Sequence, residues 1–406
     1  ASASTPERVR QALLRIEGML DQIALGLVEC GELARERARA ALEKPTPGVV
    51  YAAARLALEA GARELAELCA QHAAAQMKHR SALNAALSHG AVSDPAVSRS
   101  TSSRQSSTAA HVHALLKNWL SAGPQLAPFA MRLAARSGVQ LPAANIVAVL
   151  DALPEAAIAE AIAALDGLTL LGNPETHAYI SRWQNSPHDA LRRAWAEAEL
   201  VLGGPSGRSN VSRRADQDPA IISSAAIAFE AGAVPALGEV AAALSGEEAC
   251  WALGLLGDAR ALPRLLRRLS CADSAHAAAA ALEVLLGVAP LTTRLEPDLD
   301  ERAPQRQVPC VSVDTEDWQR LAHEVLARHP QGARLRAGQL ASPAATLDLL
   351  ERPHLAEPLR RQLALELSLR WKLPRMLDVR ALLRQQIRCI AQLRAAPCNA
   401  EPGSWS

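Results

Sequence analysis

CWALGLLGDARALPRLL, residues 250–266, decides how this chain is read. An apolar half-helix runs into Gly257, Asp258 follows, and a second run carries Pro263 among leucines. A helix ends most readily on a residue that tolerates a left-handed backbone, which is glycine. The next helix starts after a polar cap and accepts proline in its first turn. The same order recurs in ARLALEAGARELAEL (54–68) and AAIAFEAGAVPALGEV (225–240), and Asn173-Pro174 follows Gly172 in the same way. In register, the turn glycines are Gly172, Gly203, Gly232, Gly257 and Gly287, at steps of 31, 29, 25 and 30 residues. A period of about 30 residues with two helices per unit marks a repeat stack. The expected fold is all-α: a right-handed α-solenoid of helical hairpins, each unable to bury its apolar faces until its neighbours stack on it.

Composition agrees. Hydrophobic residues make up 49% of the 406 residues and aromatic ones only 3%, so the apolar content is mostly Ala and Leu, which favour helix over strand. With 43 basic and 42 acidic side chains the net charge is +1, which argues against nucleic acid as the partner of the whole molecule. The seven cysteines, Cys30, Cys69, Cys250, Cys271, Cys310, Cys389 and Cys398, are odd in number and form no C-x-x-C. That spacing suits reduced thiols in a cytoplasm rather than a disulfide framework. The N-terminal stretch lacks the apolar h-region of a signal peptide, and no apolar run reaches the roughly 18 residues of a membrane span. A cytoplasmic location is expected.

Along the chain, residues 1–97 read as an N-terminal helical region in which Val9, Leu13, Ile16, Leu20 and Ile23 recur at helical spacing. SRSTSSRQSS (98–107) sits in a polar stretch expected to form a loop over 98–109. The repeats occupy 110–290, an acidic Pro-bearing linker 291–313, a C-terminal helical capping module 314–396, and a flexible tail 397–406.

WALGLLGDARALPRLL (251–266) resembles a HEAT-like repeat of the phycobilisome-lyase type. The order of LLGVAPLTTRLEPDLDE (285–301), DWQRLAHEVLARHPQGARLRAGQLASPAATLDLL (317–350) and RRQLALELSLR (360–370) is similar to that of a family of bacterial HEAT-like proteins. Those proteins are sometimes encoded near type VI secretion genes. The resemblance covers most of residues 52–396 and implies a cellular context rather than a chemistry.

Few residues suggest catalysis. Cys69, His72 and His79 lie on one helical face, yet no second pair closes a zinc site, so no metal is expected. His111 and His113 read as solvated. There is no G-x-S-x-G, and Gly203-Gly204-Pro205-Ser206-Gly207 lacks the strand and lysine of a phosphate loop, so it reads as a turn. Glu247 and Glu248 suit a helix N-terminus, as do Asp314 and Thr315, while Asp298, Asp300 and Glu301 read as solvated linker. From 359 to 396 there are nine basic residues against Glu366 and Asp378, with Arg380, Arg384 and Arg388 at four-residue steps.

The surface candidates follow the turn glycines, where the second helix of a hairpin faces a partner. They are His177, Tyr179, Arg182 and Trp183 in one unit and Arg264, Arg267 and Arg268 in another, residue types that dominate interface energetics. The expectation is a non-enzymatic protein-binding scaffold without cofactor, an immunity or adaptor protein for a type VI effector. A nucleic-acid-binding protein using the concave and C-terminal arginines is the second reading.

Overall fold

The structure is a computed structural model that describes residues 5–89, 102–123, 125–154, 156–228, 234–296, 306–329, 333–352, 355–371, 377–381 and 383–395. Among them the fold is all-helical apart from two small antiparallel ribbons. The chain divides into two compact units. Ala12–Gly204 with Arg380–Gln385 forms the N-terminal unit, and Pro205–Val379, joined by residues from both chain ends, forms the C-terminal unit. No helix is long and apolar enough to cross a membrane among the described residues.

Helices in the N-terminal half are α1 (Thr5–Glu29), α2 (Gly31–Ala41), α3 (Pro47–Ala60), α4 (Arg63–Ala75), α5 (Met77–His89), α6 (Ser102–Ser121), α7 (Ala127–Ser137), α8 (Ala143–Ala152), α9 (Ile158–Leu171), α10 (His177–Ile180) and α11 (Asp189–Leu202). Every second helix packs on the next: α3 on α5, α5 on α7, α7 on α9 and α9 on α11. Small residues set how closely they approach. A Cβ on Gly167 of α9 would lie 2.7 Å from the Met131 Cβ of α7, so only glycine fits there.

The C-terminal half continues with α12 (Gly204–Arg214), α13 (Ile222–Ala228), α14 (Val234–Ala243), α15 (Glu247–Leu256), α16 (Leu262–Arg268) and α17 (Ala275–Leu286). After the ribbon of β1 (Leu291–Glu296) and β2 (Arg306–Val311) come α18 (Thr315–Leu326), a short hairpin of β3 (Leu335–Arg336) and β4 (Gln339–Leu340), α19 (Pro343–Leu350), α20 (Glu357–Trp371) and α21 (Leu383–Ala395). Here α13 packs on α15, α15 on α17, and α20 covers α13 and α15.

Gly172, Gly257 and Gly287 end α9, α15 and α17 in the left-handed conformation, with φ of 63°, 76° and 75°. Gly61 and Gly138 do the same for α3 and α7. Gly203 differs: its φ is −82°, and the left-handed residue is Gly204 at 53°. Two adjacent glycines let the chain choose either, and Pro205 suits the first turn of α12, so 203–207 is a helix junction rather than a free turn. Gly232 lies outside the described residues. The caps fall where the sequence placed them: Asn173, Asp258 and Asp314 accept from the backbone N–H two residues on, at 3.0, 2.9 and 2.8 Å.

Three organisational expectations change. Helix α6 starts at Ser102, inside the stretch read as a loop, because the buried Val112, Leu115, Leu116 and Trp119 nucleate a helix. Ser, Arg and Gln extend such a helix backwards at a cost of a few tenths of a kcal/mol each. The stretch 291–313 is not only linker. Leu291↔Val311 through Glu296↔Arg306 pair in antiparallel register, a segment rich in β-branched Thr and Val with opposite charges at one end. The boundary between compact units falls at Gly204/Pro205, within the 110–290 block. Of the linker acids, Asp298, Asp300 and Glu301 lie outside the described residues, as does the tail 397–406.

The β3–β4 hairpin closes the C-terminal unit from within. Arg336 is fully buried, donates from Nη1 to Gly254 O at 2.8 Å and from Nη2 to Leu255 O at 2.6 Å, and pairs with the fully buried Glu366 of α20 at 3.1 Å. Arg334 Nε donates to Leu256 O at 2.9 Å, and Leu335 N to Gly257 O at 2.6 Å. One residue further, Ala337 N and Gly338 N donate to Val284 O and Leu285 O at 2.9 and 2.8 Å. One hairpin therefore satisfies the terminal carbonyls of both α15 and α17, groups that have no partner inside their own helices. The fit demands glycine: a Cβ on Gly257 would meet Leu335 O at 2.9 Å, and one on Gly287 would overlap the Ala337 backbone. Ala337 takes a left-handed φ of 54° to turn between them.

Removing one partner of a buried, hydrogen-bonded ion pair leaves the other charge uncompensated. Arg336→Met is expected to lower stability by about 3–5 kcal/mol in urea denaturation. Gly287→Ala should cost more than about 1 kcal/mol, since it adds a Cβ at positive φ.

Candidate protein-interaction surface

His177 and Tyr179 lie on α10, and Arg182 and Trp183 on the 3-10 turn Ser181–Trp183, all in the N-terminal unit. They do not form one exposed cluster. Trp183 is a core residue, 4% exposed, which corrects its reading as a surface anchor: its ring fills apolar space beneath the turn. Arg182 lies over that ring, its guanidinium carbon 4.4 Å from the centroid, and donates to Leu153 O at 2.9 Å just past the end of α8. His177 Nε2 is 2.8 Å from Glu199 Oε2, and Glu199 is buried on α11. Tyr179 is 40% exposed.

Arg264, Arg267 and Arg268 are together on α16, in the C-terminal unit, along a cleft of about 390 Å³ also lined by Glu239, Ala242 and Cys271. A second cleft of about 320 Å³ lies on the other side of Arg264, with Leu253, Leu256, Asp258 and Arg260 in its lining. The three arginines differ in what holds them. Arg268 donates to Ala242 O at 3.4 Å, to Leu244 O, and to Cys250 Sγ at 3.4 Å, closing the end of α14. It is a helix-capping residue, and that corrects its reading as a contact for a partner. Arg264 pairs with the exposed Glu239 at 2.8 Å, and Arg267 is exposed, with only a 3.4 Å bond to Pro263 O on its own helix. Arg264 and Arg267 are thus the pair of this cluster able to meet a partner.

The other residues singled out in the sequence find structural places. Cys69 is buried on α4, and burial pushes its thiol up to about 12. His72 and His79 meet edge to face, ring centroids 6.4 Å apart, and no cluster of three metal-type ligands occurs among the described residues. His111 is half-buried on α6, its pKa lowered by burial and by the nearby Arg63 cation, while His113 is exposed. Glu247 and Glu248 open α15, where Glu248 accepts from Ser223 Oγ at 2.7 Å. The C-terminal arginines are not one stripe. Arg380 precedes α21 and pairs with Asp166 at 3.1 Å, and Arg384 pairs with Asp21. Carboxylates inside the N-terminal unit take up these charges, leaving less field for a phosphate backbone.

No family model matches the chain. No curated protein and no solved structure matches it either.

These assignments separate by mutation. Arg268→Ala, which strips donors from the end of α14, is expected to lower stability by about 1–3 kcal/mol in urea titration, whereas Arg267→Ala should stay within about 0.5 kcal/mol. Thiol reactivity provides a second check. The exposed Cys30 and Cys271 should react with a disulfide reagent in the native protein, while the buried Cys69 and Cys250, both pushed up by burial, should react only after denaturation, as mapped by peptide mass spectrometry.

Proposed function

We propose that this chain is a non-enzymatic protein-binding scaffold, a HEAT-like α-solenoid whose stacked hairpins hold a protein partner in the cytoplasm. The solenoid reading rests on the packing of every second helix on the next within each unit, and on glycine-ended helices at intervals of about 30 residues. The observation that carries the binding reading is α16. It stands beyond the α13–α15–α17 row and carries Arg264 and Arg267 at the lips of two shallow clefts, with Glu239 between them. Arginine flanked by apolar cleft walls is a residue type on which protein interfaces concentrate their energy. Given the resemblance to HEAT-like proteins encoded near type VI secretion genes, the partner is a secreted effector, which the chain either blocks as an immunity protein or loads as an adaptor.

The test is capture of interacting molecules on the immobilised full chain from the source lysate, at low and at moderate salt, with mass spectrometry. One stoichiometric protein is expected at both salts, and Arg264→Glu with Arg267→Glu should weaken its binding about tenfold or more. A partner held equally by the double variant would remove α16 from the interface. Nucleic acid recovered at low salt and lost at moderate salt would replace the proposal with phosphate-backbone binding. Whether the captured protein is a toxin neutralised by the chain decides between blocking and loading.

A further inference from the structure

Helix α1 is turned inside out. Its carboxylates face inward: Glu17, 8% exposed, accepts the backbone N–H groups of Leu383 and Arg384, the latter at 3.1 Å, at the first turn of α21. Asp21, one turn on, accepts from Arg55 Nη2 at 3.3 Å and pairs with Arg384. An acidic group at a helix N-terminus meets unpaired donors and the positive end of the dipole, so these contacts fix the face that α1 presents to its own unit. The consequence is on the other side. Ile16, Met19 and Ile23 are each more than half exposed, and Leu13, Leu25 and Leu33 extend the patch. Six of the eleven exposed large apolar side chains among the described residues lie within these 21 positions. Scattered exposed leucines need no cause, but a contiguous patch marks an interaction site.

The spacing says what kind of surface fits. Leu13, Ile16, Leu20, Ile23 and Leu27 step by three and four in strict alternation, the 3.5-residue period of a coiled-coil seam. Such a seam takes another helix with the same period. We propose that α1 of a second copy of this chain covers it, making the protein a homo-oligomer through α1. A symmetric interface must be self-complementary. This seam satisfies that condition, because none of its five positions carries a charge that would meet its own like. Leucine occupies the a positions and isoleucine the d positions, an order that favours bundles of more than two helices, so the assembly is expected to take in up to four copies. The interaction does not depend on the effector reading and uses no residue assigned to it.

The experiment is light scattering coupled to size exclusion on the full chain at micromolar concentrations, with far-UV circular dichroism to follow helicity. The expected mass is two to four times the 43.0 kDa of one chain. Ile16→Glu with Ile23→Glu should return it to 43.0 kDa with helicity unchanged. Gln22→Glu, an exposed position on the same helix but off the seam, should leave the mass as it was. A wild-type chain that stays at 43.0 kDa overturns the proposal, and so does an assembly that survives the double substitution. A monomer whose α1 gains hydrogen-exchange protection only when a captured protein is added also overturns it, assigning the seam to a partner's helix.

Discussion

Buried helix C-termini, and the arginines that satisfy them, are the constraint on which the rest of this structure depends. A fold made of short helices has many ends, and each leaves its last carbonyls without a partner in the helix. Where those ends are covered by a neighbour, water cannot serve them, and a donor must arrive from elsewhere in the chain. Arginine is suited to this, with five N–H groups on a long arm. Arg80 donates to Ala73 O and Ala74 O at the end of α4, Arg55 to His89 O at the end of α5, and Arg182 to Leu153 O after α8. Arg268 serves α14, Arg334 and Arg336 serve α15, and Arg360 reaches Leu350 O at the end of α19.

That use of arginine requires the acids. A guanidinium buried with only neutral acceptors remains a desolvated charge, so the deepest capping arginines also hold carboxylates: Arg336 with Glu366, Arg80 with Glu160 at 2.6 Å, Arg55 with Asp21 and Glu59. A near-equal count of 43 basic and 42 acidic residues is what such pairing asks for. It also accounts for a basic-looking C-terminal segment that is no phosphate-binding stripe, since Arg380 and Arg384 are held by Asp166 and Asp21.

Local signals were legible in the sequence and distant ones were not. Gly172, Gly257 and Gly287, together with the caps Asn173, Asp258 and Asp314, act within a few residues of themselves, so their spacing placed the helix ends correctly. Arg336 and Glu366 are thirty residues apart and meet only because the β3–β4 hairpin enters between helix ends, which no periodicity encodes. The candidate surface failed for the same reason. Arg268 and Arg264 look alike four residues apart on one short helix, yet one caps α14 and the other sits at the rim of a cleft. Nor does an aromatic residue after a turn glycine reveal its direction: Trp183 points inward while Tyr179 points out.

Helix α1 carries this lesson furthest. The period of Val9, Leu13, Ile16, Leu20 and Ile23 establishes that one face is apolar, and hydrophobic patterning alone would turn that face to the core. What overrides it is a stronger local demand. The first N–H groups of α21 need acceptors, and Glu17 and Asp21, one turn apart, serve that end only if the carboxylate side of α1 faces inward. Two carboxylates engaged in charge-assisted bonds outweigh a few leucines whose burial can be deferred to another surface. The exposed seam is therefore not loose packing. It is the orientation that the electrostatics of α21 imposes, and it leaves the apolar side of α1 as a surface for another helix.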